Sequence, residues 1–117
     1  MLALAYILCE RRPLSSSDWE TEARFLMPNP SAFLDALGAA GLAGRQHPGD
    51  LSLQVSTDLL FEDGDIVGQT SVHPGEIMAL LPHADPDMAL RLRAWAAFAH
   101  ALEQGGQDAR LIIWFIR

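Results

Sequence analysis

Two stretches, one at each end of the chain, are apolar on both sides of an extended backbone, and this restricts what the chain can fold into. Leu2 to Cys9 puts Leu2, Leu4, Tyr6 and Leu8 on one face and Ala3, Ala5, Ile7 and Cys9 on the other. Leu111 to Ile116 has the same character, with Trp114, Phe115 and β-branched isoleucines. Side chains alternate between the faces of a strand, so a strand with two apolar faces belongs inside a sheet that is covered on both sides. At an exposed edge it would recruit other chains. Both segments are therefore expected in one sheet, where they can be neighbours.

Between them the pattern is mixed. Arg12 to Ser17, with Pro13 and three serines, reads as a turn. The next segment supports two readings. Ser17 and Glu20 have capping-box spacing for a helix that Pro28 would end. Trp19, Thr21, Ala23 and Phe25 also alternate with Glu20, Glu22 and Arg24, which is the strand period. Asn29 and Pro30 open a helix whose stripe is Phe33, Leu34, Leu37 and Ala40, with Gly41 placed to end it.

Leu51, Leu53, Val55 and Thr57 alternate with Ser52, Gln54, Ser56 and Asp58, which predicts a strand with one wet face. Glu62-Asp63-Gly64 reads as a turn, and Asp65 to Val72 as the returning arm of a hairpin. Pro74, Gly75 and Glu76 begin a short helix through Leu81 that Pro82 stops. Asp85 and Pro86 open the best-marked helix, with Met88, Leu92, Trp95, Ala99 and Leu102 inward and Gly105-Gly106 at its end.

The order predicts a single α+β domain over residues 1–117: a mixed or antiparallel sheet of about four strands packed with two to four helices. The hairpin has a polar face while the end strands do not. Either helices cover both sides of the sheet near its centre, or a second subunit in a homodimer covers the bare side.

Charge is unevenly placed. All eight basic residues are Arg, and the net charge is −7. Between Arg45 and Arg91 lie eight carboxylates and no guanidinium, a charge of −8, so the rest of the chain carries +1. A surface of that sign repels phosphate backbones, which argues against direct nucleic-acid binding. Leu2 to Cys9 is too short to span a bilayer, and its basic residues follow the apolar run instead of preceding it. Neither a membrane span nor a secretory leader is therefore read, and a cytoplasmic location is expected.

Chemical motifs are sparse. Cys9, the one cysteine, allows no internal disulfide and reads as an inert core residue. His73, Glu76, His83, Asp85 and Asp87 contain suitable metal ligands but lack helical ligand spacing, so no metal is expected. Glu62 to Asp65 lacks the alternating ligands of a calcium loop. No serine elbow or phosphate-cradling glycine pattern is present, and no cofactor is expected. Trp19, Trp95 and Trp114 read as core anchors, with Trp19 the best candidate for an interface.

The acids therefore carry the functional expectation: a non-enzymatic binding protein that presents Asp58, Glu62, Asp63, Asp65, Glu76, Asp85 and Asp87 to a basic protein partner. Compact acidic α+β chains of this size occur among immunity proteins that neutralise toxins and among phage inhibitors of host defence systems. One alternative is a nucleic-acid mimic of the phage-inhibitor type, whose acids imitate phosphates. Another is a small enzyme or ligand-binding domain with a site around His73, Glu76 and His83, should these converge in the fold.

Overall fold

In the computed structural model, which describes residues 2–117, the two apolar end segments lie side by side. β1 (Leu4–Pro13) and β4 (Gln107–Ile116) pair antiparallel along their whole length, from Leu4 opposite Ile116 to Pro13 opposite Gln107. β2 (Glu20–Phe25) flanks β1, and β3 (Ile66–Val72) flanks β4, so the sheet order is β2-β1-β4-β3 with every pair antiparallel.

Alternation along the central strands divides the core in two. Ile7, Cys9, Leu111, Ile113 and Phe115 face one side, where α1 (Pro30–Ala39), α3 (Pro74–Ile77) and α4 (Pro86–Gln104) pack. Leu8, Ile112, Trp114 and Ile116 face the other, where α2 (Leu53–Leu60) contributes Val55 and Leu59. The expectation of helices on both faces is met within one chain, and the sheet needs no second subunit to cover it.

The firmest helices begin and end where their caps lie. The Asn29 side chain accepts from the Ala32 N–H at 3.1 Å, and Gly41 takes the left-handed turn (φ 73°) that ends α1. The Asp85 carboxylate accepts from the Met88 N–H at 2.8 Å, and α4 buries Met88, Leu92, Trp95 and Ala99. Among the described residues no helix is long and apolar enough to cross a membrane.

To pass from α1 on one face to α2 on the other, the chain rounds the outer edge of β3. The Thr70 hydroxyl donates to the Leu42 carbonyl, and Arg45 Nη1 donates to the Ser71 carbonyl at 3.2 Å. His47 Nε2 then donates to the Ile113 carbonyl at 2.9 Å, with its ring centre 6.2 Å from that of Trp114, a residue of the α2 side, in a T-shaped arrangement.

Four sequence expectations change. Residues 51–58 form no strand: Ser52 caps α2, its Oγ accepting from the Val55 N–H at 3.2 Å. Leu51, Val55 and Leu59 satisfy the four-residue helical spacing as well as the two-residue one, and the cap resolves the ambiguity. Consequently β3 has no hairpin partner before it and pairs with β4 alone. The helix expected from Pro74 to Leu81 is α up to Ile77 and continues as a 3-10 turn, Met78–His83, which includes Pro82. β1 does not end at Cys9 but runs on through Glu10, Arg11 and Arg12 to Pro13, because each of those charges finds a partner on a neighbouring strand or loop. The segment read two ways is the strand β2.

Candidate functional site

A buried carboxylate fixes how α2 lies. Glu10 is fully buried on β1, and its Oε2 accepts from the backbone N–H of Ser52 at 2.6 Å. Its Oε1 accepts from Arg110 Nε at 2.7 Å, and Arg110 holds the side chain and carbonyl of Asp50 at 3.0 and 3.1 Å. The Ser52 hydroxyl also bonds that of Thr21 at 2.7 Å. The residues leading into α2 are thus tied to β1, β2 and β4 before the helix begins.

With that start fixed, the helical period determines what each later residue meets. Val55 is buried and Leu59 half-buried against the sheet. At 100° per residue, Leu53, Thr57, Leu60 and Phe61 fall on the opposite side. Leu53 is 83% exposed, Leu60 77% and Phe61 74%, the three most exposed large apolar residues described. Ile66 and Val67, at the start of β3, are 43% and 42% exposed.

Between these apolar groups lie four of the seven predicted acids. Asp58 accepts from the side-chain amide of Gln54 one helical turn back at 3.1 Å. Glu62 accepts from the Gly64 N–H at 2.9 Å and shapes the turn into β3. Asp63 and Asp65 are exposed. Among the described residues only Asp65 of the four meets a guanidinium, that of Arg117 at 3.5 Å, and both groups are open to solvent. An apolar centre with a polar rim is the usual anatomy of a protein contact.

The other three acids are elsewhere and engaged. Glu76 begins α3, on the opposite face of the sheet and past the far end of β3. Arg45 grips it with two bonds of 2.8 Å, and the His73 N–H donates to it at 2.9 Å. The Arg45 bonds, helped by the His73 N–H, hold its carboxyl down to about 2 against a desolvation that opposes them. Asp85 caps α4, and Asp87 pairs with Arg91 at 3.1 Å.

The two histidines do not converge. His73 borders an open hollow of about 420 Å³ with Trp19, Glu103, Asp108 and Arg110, whereas His83 borders another beside α1, near Asp35. Among the described residues no three His, Cys, Asp or Glu side chains gather as a metal ion would require. Trp95 and Trp114 are core residues, but Trp19 is half-buried beneath cations, with the guanidinium carbon of Arg110 3.8 Å and that of Arg12 4.8 Å from its ring centre. Its indole N–H donates to Asp50 at 3.1 Å.

The site residues not anticipated from sequence are Leu53, Leu60 and Phe61. Their signal was present in the pair Leu60-Phe61, seven and eight residues after Leu53, but it becomes an outward stripe only if the segment is helical. Leu26 and Leu90 are also exposed, but the charges beside them, Arg91 against the Leu26 carbonyl and its partner Asp87, are of opposite sign. No family model, curated protein or solved structure matches the chain.

Proposed function

We propose that this protein works by binding, and that it docks the α2–β3 corner on a basic protein partner in the manner of an inhibitor or immunity protein. The observation that supports this most directly is the outward stripe Leu53, Leu60 and Phe61, left in water beside Asp58, Glu62, Asp63 and Asp65. Exposed apolar area of this kind is costly to solubility unless a partner covers it. The carboxylates select the sign of the partner and speed the encounter, while Leu60 and Phe61 supply the desolvated centre that slows dissociation.

The test is affinity capture from extracts of the native host, followed by purification of the retained protein and measurement of its affinity. A basic protein is expected, whose binding weakens as salt is raised. Phe61→Ala with Leu60→Ser is expected to weaken binding by tenfold or more, about the loss of 1.4 kcal/mol. Asp63→Asn with Asp65→Asn is expected to slow association with a smaller effect on dissociation. Capture that is indifferent to salt, or equal for wild type and the Leu60/Phe61 variant, removes the reading.

A further inference from the structure

The two edges of the sheet are defended differently. β2 carries Glu20, Glu22 and Arg24, exposed charges of the kind that discourage a further strand. β3 reads Ile-Val-Gly-Gln-Thr-Ser-Val, without a charge. The crossing loop covers only its second half, through Thr70 and Ser71.

Because Arg45 reaches the Ser71 carbonyl from outside the sheet, Ser71 directs its backbone groups away from β4. Alternation in an antiparallel ladder then turns the N–H and C=O of Gln69 outward as well. Both groups are free of the β4 ladder, and the Gln69 side chain is exposed. Directly before this open stretch come the exposed carboxylates Asp63 and Asp65, and Ile66 and Val67 present apolar side chains along it.

Building on the docking surface described above, we propose that the partner contributes an extended, basic segment that adds to the sheet as a fifth strand at Gln69. Backbone hydrogen bonds to Gln69 supply the register. Apolar side chains of the added strand lie against Ile66 and Val67, and its cationic side chains reach Asp63 and Asp65. The complementary charge favours such a segment over a second copy of this chain, whose net charge of −7 has the same sign as the surface it would join.

The probe is a capped peptide of alternating lysine and valine, compared with the same sequence N-methylated throughout, which keeps the charge and side chains but has no N–H to donate. The unmodified peptide is expected to bind and to slow amide hydrogen exchange at Gln69. The methylated one is expected to bind about tenfold more weakly, the effect of one or two lost net hydrogen bonds. Gln69→Pro removes an N–H that the sheet itself does not use, so the fold should persist while the unmodified peptide loses about the same factor. Equal binding of the two peptides, or no protection at Gln69, overturns strand addition whether or not the proline variant folds. If binding is then still lost in the Leu60/Phe61 variant, the docking surface stands without the added strand; if neither peptide binds at all, both proposals fall. A dimer of the protein that Gln69→Pro dissociates would assign the edge to a second copy and overturn the heterologous partner.

Discussion

Glu10 and Arg110 sit opposite each other on β1 and β4, and Arg110 Nε donates to Glu10 Oε1 at 2.7 Å with both side chains withdrawn from solvent. The pair reaches beyond its own ladder. One carboxylate oxygen receives the Ser52 N–H, and the guanidinium holds Asp50, so two buried charges decide where α2 starts on the sheet. Such a pair adds little net stability over a good apolar pair, because desolvation offsets its attraction. Its effect here is positional: the rotation of α2, and with it the exposure of Leu60 and Phe61, follows from where Ser52 is held.

Breaking this pair from one side should be costly. Arg110→Met leaves the Glu10 carboxylate buried and without its cation, with an expected loss of about 3–5 kcal/mol in urea unfolding. Glu10→Leu combined with Arg110→Met should lose less than the single variant: both give up the contacts of Arg110 with Asp50, but the double variant buries no unpaired charge and adds only the unpaired Ser52 N–H. A double variant as unstable as the sum of its parts would contradict this account.

The Glu76–Arg45 contact predicts a particular acid response. The carboxyl is held at about 2 in the folded protein against an ordinary value of 4.5. A lowered folded value gives stability that is present above the unfolded value and is lost as pH falls, here between 4.5 and about 2. Glu76→Gln should flatten the dependence of the urea midpoint on pH across that window. At neutral pH it should cost about 1 kcal/mol or less, because the pair is partly exposed.

Gly64 is the tightest point of the turn between α2 and β3. A methyl group there would run into Cγ2 of Ile116 and press on the Glu62 carboxylate. Gly64→Ala should therefore destabilise by about 1–3 kcal/mol, the usual cost of overpacking, and thermal unfolding followed by circular dichroism measures it.

Cys9 should be silent in the native state. It is fully buried, and burial first, then the charges of Glu22 and Glu10, push its thiol up to about 12. A thiol reagent should label it only at the rate of unfolding, and raising the pH through the ordinary thiol range should not accelerate labelling of the folded protein.

The proposed contact residues should matter little to the fold itself. Leu60→Ser and Phe61→Ala replace side chains that are mostly in water, so each should change unfolding free energy by about 0.5 kcal/mol or less. A large loss would mean that Leu60 and Phe61 are structural, and it would weaken their assignment to a partner.

The apolar ends of the chain, the caps at Asn29 and Asp85 and the glycines after α1 and α4 could be read directly, because each depends on neighbours a few residues away or on a face that must leave water. The α+β class and the pairing of the end strands follow from the same facts. Residues 51–58 could not be assigned this way. Their apolar positions fit two periods at once, and what favours the helix is the Ser52 cap, held by Glu10 from 42 residues away. Once α2 is a helix, β3 loses its expected hairpin partner and becomes an edge, and Leu53, Leu60 and Phe61 turn outward. The acids divided for the same reason. Asp58, Glu62, Asp63 and Asp65 stay together because one helix end and one turn carry them, whereas Glu76 and Asp87 are claimed by guanidiniums and Asp85 by the amide that opens α4. Sequence order placed the negative charge and, through a local cap and a one-turn pair, engaged Asp85 and Asp87; only the tertiary structure, bringing Arg45 from 31 residues away, engaged Glu76.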